Sequence, residues 1–278
     1  MSDNEDHVTT FSSFIDQALL GALLGQLGAL LGALLGALFG ALLAIDRKFF
    51  IRRSEGIDLA LLAQLNADSV VALGVSVGGS APTRQVGSGF FVSAAGYLDT
   101  CHHVILDMDK MAPDPTTRKY YVGVGSPIVW TYEAEIVRMS SRPGLSPLYP
   151  GDPMLDLAIL RVTRRIDGAQ IPPLSFKPLV LADSDAVVEG EPVWILGYGQ
   201  EGVMTNTRNT MKGIVCGRHT DAHGNWIRTD ADVLSGHSGG PAIKKNGEVI
   251  SWCVKSSQIA FLRPINDAKQ ELTDAGAI

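Results

Sequence analysis

Gly236-His237-Ser238-Gly239-Gly240-Pro241 is the stretch on which the reading of this chain turns. A serine set among glycines suits a nucleophile: the missing side chains open room for a substrate and let neighbouring backbone N–H groups converge on an oxyanion. The plain alternative is a glycine turn with a chance serine. The string also fits the Gly-x-Ser-x-Gly elbow, which needs its acid and then its histidine after the serine. All six histidines (His7, His102, His103, His219, His223 and His237) precede Ser238, so the elbow is excluded. What remains is the order histidine, aspartate, serine.

Working outward, short runs rich in Val, Ile, Phe, Tyr and Trp recur from about Ser69 between clusters of Gly, Pro, Asp and Ser. Ser69–Val77, Gly89–Ser93, Tyr120–Val124, Glu133–Met139, Leu157–Val162, Pro192–Leu196, Met211–Cys216, Trp226–Thr229, Ala242–Lys244, Val249–Val254 and Ile259–Arg263 all have this texture. Many short strands with no helical pattern between them predict an all-β sandwich or barrel. Asn266–Asp274 reads as a closing helix, and the Pro-rich Ile171–Pro178 as a linker between two β halves.

Two upstream segments supply the other roles. Gly87-Ser88-Gly89-Phe90-Phe91-Val92-Ser93 precedes Gly96-Tyr97-Leu98-Asp99-Thr100-Cys101-His102-His103-Val104. Together they resemble the strand, turn and histidine segment of trypsin-like serine peptidases, above all the HtrA-like branch, where Thr-x-x-His-Val is typical. Asp156-Leu157-Ala158-Ile159-Leu160 is similar to that family's acid segment, and Thr229-Asp230-Ala231 fits its approach to the serine. The resemblance covers roughly residues 69 to 265, and its order is the one a chymotrypsin-like double β-barrel requires. It implies an all-β double barrel with a C-terminal helix. It also implies a serine endopeptidase acting on protein or peptide substrates through an acyl-enzyme, without cofactor or metal. Ser238 would be the nucleophile, His103 the general base and then acid, and Asp156 the orienter of the imidazole. The N–H groups of Gly236 and Ser238 would form the oxyanion hole. His102 is the rival for the base, but His103 is the one directly before Val104.

The same resemblance implies a specificity pocket. Asp232 lies six residues before Ser238, where trypsins place the carboxylate at the pocket floor, and Ser251-Trp252-Cys253 resembles the strand that lines one wall and pairs with substrate. A carboxylate enclosed by apolar walls would favour Arg or Lys at P1. The alternative is that Asp232 caps a surface turn. Some residues depart from the family pattern. His237 stands where trypsins carry Asp and HtrA-like proteases usually Asn, and Val104 replaces the cysteine that braces the histidine in digestive trypsins. The few residues after the barrel lead to the expectation of a protein without the PDZ domain usual in HtrA-like proteases. Cys216, His219 and His223 have metal-like spacing but no fourth ligand, and read as a turn between two strands. Gly197, Gly199 and Gly202 follow a strand but precede no helix, which excludes a dinucleotide fingerprint and suggests a barrel loop near the site.

Composition sets the remaining bounds. With 46% hydrophobic and 19% charged residues over 278 positions, a packed core is available, and the net charge of −6 argues against nucleic acid as the main partner. Three cysteines, Cys101, Cys216 and Cys253, are odd in number and suggest a reducing compartment. Residues 1–17 are acidic, and 18–45 carry no charge. Gly21, Gly25, Gly28, Gly32, Gly36 and Gly40 stripe this second segment, with alanines beside them and leucines elsewhere. A helix of roughly 42 Å would more than cross a hydrocarbon core of roughly 30 Å, and a small-residue stripe lets helices approach closely. Arg47, Lys48, Arg52 and Arg53 follow, within a basic flank and short helix over 46–68 that leads to the protease-like domain over 69–278. The expectation is a membrane-anchored, self-associating protein with its N-terminus outside and its barrel cytoplasmic. The alternative is a soluble cytoplasmic oligomer assembled through 18–45. A second functional class stays open as well, a non-catalytic peptide-binding or assembly scaffold on the same fold.

Overall fold

The structure, a computed structural model, describes residues 59–76, 82, 85–140, 155–199, 206–221, 224–255 and 259–278. The chain divides into two units, Met1–Gly56 and Ile57–Ile278, and the described residues all belong to the second. The apolar helix expected over 18–45 lies outside them. Among the described residues no helix is long and apolar enough to cross a membrane.

Six strands, β1 (Val70–Val75), β2 (Gly87–Phe91), β3 (Tyr97–Cys101), β4 (Tyr120–Val124), β5 (Val129–Met139) and β6 (Leu157–Arg165), close into an antiparallel barrel in the order β1-β2-β3-β6-β5-β4. Six more, β7 (Pro192–Gly197), β8 (Asn209–Asp221), β9 (Gly224–Thr229), β10 (Pro241–Ile243), β11 (Val249–Lys255) and β12 (Ala260–Pro264), close a second in the order β10-β11-β12-β9-β8-β7. Closure pairs the strand edges that an open sheet would expose. Leu73, Phe90, Leu98, Val122 and Leu160 fill one core, and Val193, Ile195, Val215, Ile227 and Leu262 the other. Ile171–Pro178 runs between the barrels, with Phe176 tilted against Phe91 at 4.7 Å and edge-on to Tyr132 at 5.3 Å between ring centroids.

Among the described residues three α-helices decorate this frame. Helix α1 (Leu59–Leu65) inserts Leu62 into the larger core, and Lys177 Nζ and Arg208 Nη1 donate to the carbonyls of Leu65 and Ala67 at its end. The Leu65 carbonyl lies in the last turn, where no intrahelical donor follows, so Lys177 caps the helix, while Arg208 ties the Ala67 carbonyl of the next turn and the Ala63 carbonyl of the helix. Helix α2 (His102–Met111) follows β3 without a break, and α3 (Lys269–Asp274) closes the chain with Leu272 fully buried.

The β8–β9 hairpin differs from the sequence expectation. Cys216 and His219 do not form a turn: β8 continues to Asp221, with His219 opposite Trp226, and the chain reverses only before Gly224 at φ +107°. His223 is outside the described residues. The polar, solvent-facing end of this strand lacks the apolar alternation that marks a strand in sequence.

Candidate active site

Asp156 is the organising residue. It sits immediately before β6, is buried, and takes φ +54°, a left-handed conformation uncommon for a residue with a side chain. Its carboxylate holds His103 at two points: Oδ1 accepts the backbone N–H of His103 at 2.9 Å, and Oδ2 lies 2.8 Å from Nδ1 of the ring. Its carbonyl accepts the N–H of His102 at 3.1 Å. The first turn of α2 is therefore capped by a residue distant in the chain, and the imidazole is oriented by the same group. The Nδ1 proton goes to Asp156, which leaves the Nε2 lone pair for the cleft. His103 is a quarter exposed, whereas His102 is buried.

Ser238 belongs to a loop clamped between the barrels by Ser88 of β2. Ser88 N–H donates to the Ser238 carbonyl at 2.9 Å, and its hydroxyl donates to the Gly236 carbonyl at 2.7 Å and accepts Tyr198 N–H at 2.9 Å. Thr100 Oγ1 donates to the Ser88 carbonyl at 2.7 Å. Every polar group of this one serine is engaged, and Gly236 is held at φ +95° with its carbonyl turned inward. Among the described residues the N–H groups of Gly236 and Ser238 meet no acceptor. A Cβ at Gly87 would come within 2.6 Å of the Val104 side chain and 3.2 Å of the Ser238 carbonyl, so the histidine segment and the serine loop converge on that glycine. Nothing in the Gly87-Ser88-Gly89 string marks Ser88 for this role, which exists only through tertiary contacts.

A family model for the trypsin-like peptidase domain matches residues 87–251, more than half of the chain. The chain belongs to the trypsin-like peptidase family. It is 31% identical over 172 residues to a Pseudomonas putida protein named "Probable periplasmic serine endoprotease DegP-like", a match covering 60% of this chain and 28% of that one. The magnetosome formation protease MamE of Magnetospirillum gryphiswaldense is 30% identical over 175 residues, with 60% and 18% covered. The chain thus spans less than a third of the length of these curated relatives. In fold it is similar to the HtrA-type protease AlgW with decapeptide, at a TM-score of 0.58 and 20% identity over 79% of this chain and 67% of that one. It is also similar to Deg5, at 0.56 and 22% over 76% and 90%.

Against this family frame, the expected specificity residues occupy different surroundings. Ser251, Trp252 and Cys253 are all buried, and the backbone of Cys253 already pairs with the serine loop. Its carbonyl accepts Gly239 N–H at 2.8 Å, and its N–H donates to the Gly240 carbonyl at 2.9 Å. In this register the backbone of Cys253 supports the serine loop from inside. Asp232 is exposed rather than enclosed by apolar walls.

Cys101, His103 and Asp156 present sulfur, nitrogen and oxygen atoms within 4.8 Å of one another. Two ligands on one tetrahedral zinc stand about 3.3 Å apart, since each bond is about 2.0–2.2 Å. The 2.8 Å His103–Asp156 contact holds a proton instead. Cys101 is sealed inside, donates to the Cys253 carbonyl, and has its thiol pushed well up by burial and then by the Asp156 charge. The set fits proton transfer, not a resident metal. Nearby, burial also drives the carboxyl of Asp99 well above the usual carboxylate range, and neither of its oxygens meets a donor among the described residues.

Proposed function

We propose that this chain is a serine endopeptidase related to the HtrA-like branch. The observation that carries the reading is the two-point hold of Asp156 on His103. Ser238 Oγ attacks the peptide carbonyl while His103 Nε2 takes its proton, and the resulting oxyanion lies against the N–H groups of Gly236 and Ser238. His103 returns the proton to the departing amine, leaving an acyl-enzyme. Water then repeats the sequence and releases the acid. Asp156 accepts the Nδ1–H throughout and stabilises the imidazolium.

Substrates are proteins or peptides, in keeping with the decapeptide named with AlgW. A P1 preference for Arg or Lys rests on Asp232. Because that carboxylate is exposed, water screens it, and the preference should be no more than roughly fivefold. Peptidyl diphenyl phosphonates with P1 Arg or P1 Val test both points, since each bonds covalently to an activated serine with loss of phenol. Wild type should label, faster with Arg, and Ser238→Ala should not label at all. Faster labelling with Val removes the basic preference alone. No labelling of wild type by either probe favours the non-catalytic scaffold.

Residues 18–45 are proposed to anchor the chain in a membrane and to self-associate along the glycine stripe. By the positive-inside rule Arg47, Lys48, Arg52 and Arg53 favour a barrel on the cytoplasmic side, whereas the Pseudomonas putida relative is described as periplasmic. Full-length protein should resist carbonate extraction, and protease added to spheroplasts tells which side carries the barrel. Digestion of the barrel there moves it to the periplasmic side, and release by carbonate as an oligomer favours the soluble assembly.

A further inference from the structure

His237 is fully buried directly beside Ser238, at a position where trypsins carry an acid. Its ring is engaged at both nitrogens. Nδ1 accepts the N–H of Leu234 at 3.0 Å, which requires that nitrogen to be unprotonated. The proton therefore sits on Nε2, which donates to Asn209 Oδ1 at 2.5 Å. Burial holds the imidazole down to about 4 despite the nearby Asp232 charge, so the ring is neutral at working pH. The slot around it is built for it: a Cβ at Gly197 would meet the ring at 2.8 Å, and one at Gly199 at 2.5 Å.

Asn209 is fixed in turn. Its amide clasps Gly199 twice, accepting that N–H at 3.2 Å and donating to that carbonyl at 3.1 Å. The preceding Arg208 is anchored by its N–H to Ser126 Oγ at 3.1 Å and by its guanidinium to the Ala67 carbonyl at 2.8 Å. On the other side, His237 N–H donates to the Leu234 carbonyl at 3.1 Å and Gly240 N–H to the His237 carbonyl at 2.8 Å. Side chain and backbone thus fold residues 234–240 around the ring. Gly236, at φ +95°, lies within that fold.

We propose that Asn209 and a neutral, Nε2-protonated His237 are a positioning pair that holds the Gly236 N–H ready for the oxyanion. The inference rests on the serine peptidase reading above. In trypsins the residue before the serine is an acid awaiting a charged partner, whereas here both members come from the barrel itself and neither carries charge. The loop is held by uncharged hydrogen bonds, the pair from the second barrel and Ser88 from the first, with no need for a newly cut N-terminus.

Neither residue touches substrate, so their removal should lower kcat far more than it changes KM. A lost oxyanion donor lowers turnover by about 10²–10³-fold, and a misplaced one by less. Asn209→Ala should therefore lower kcat roughly 10- to 100-fold with KM within about threefold. Affinity for a peptidyl boronate should fall in parallel, and affinity for the matching product acid should not change. His237→Asn retains an acceptor for Leu234 N–H and should keep more activity than His237→Ala. The full-length wild type offers a readout independent of any variant. Its ring nitrogens, followed by histidine side-chain NMR, should show His237 with Nδ1 unprotonated and Nε2 protonated from pH 8 to pH 5.5. A ring protonated at Nδ1 overturns the proposal, as does a folded Asn209→Ala whose kcat and boronate affinity stay within twofold of wild type. Those results leave the peptidase reading standing if Ser238 still labels. A wild type that never labels overturns both.

Discussion

Asp156→Asn should lower the rate of Ser238 labelling and peptide turnover by about 10⁴-fold while leaving the protein folded. The reason lies in the two contacts of the carboxylate. Oδ1 accepts the backbone N–H of His103, so an amide placed there must turn its oxygen to that point. Its NH₂ group then faces Nδ1, 2.8 Å away, and donates to it. The ring is forced to carry its proton on Nε2, the atom that has to accept the proton of Ser238. The fold should tolerate the change because Asn, like Asp, adopts the left-handed backbone found here at φ +54°. A thermal midpoint within a few degrees of wild type, with the rate collapsed, is the expected pair of results. Activity within tenfold of wild type would remove Asp156 from the mechanism.

That prediction uses residues legible in the sequence, and it shows where legibility ends. The candidates His103, Asp156 and Ser238 could be named because each lies in a local string whose order along the chain excludes the elbow arrangement, and the structure brings the first two together. The strands are readable where apolar residues recur between turn residues: Tyr120–Val124 has the bounds expected for it. Helix α2 was not foreseen. Its N-terminus carries Cys101 rather than a capping Ser, Thr, Asp or Asn, and its cap is Asp156, which is adjacent only in the folded chain. The surroundings of the Ser-Trp-Cys triplet were hidden for a related reason: a motif fixes neither register nor burial, and the pairing of Cys253 with Gly239 and Gly240 belongs to the folded chain. Asn209 and Ser88 carry no local signature at all. Both act through tertiary hydrogen bonds to a loop some 28 and 148 residues away.

Gly239→Ala should be the most damaging single substitution to stability in the serine loop. Two effects add at this position. The backbone is at φ +83°, where a side chain costs about 1–2 kcal/mol. An added Cβ would also press on the Ser88 carbonyl and the Thr100 hydroxyl, and would lie 3.0 Å from the Cys101 nitrogen. Those neighbours are mostly backbone of β2 and β3, and Ser88 N–H at the same point holds the Ser238 carbonyl. Relief therefore means separating the barrels where they meet, and overpacking of this kind costs a further ~1–3 kcal/mol. Gly190→Ala separates the two effects: it shares the conformation, at φ +83°, but has open space where the Cβ would go. Thermal unfolding should show Gly190→Ala a few degrees below wild type. Gly239→Ala should fall roughly 6–12 °C, the shift that about 3 kcal/mol produces in a domain of this size. Equal losses in the two variants would mean that backbone conformation alone decides the cost, and that the serine loop is not wedged between the barrels.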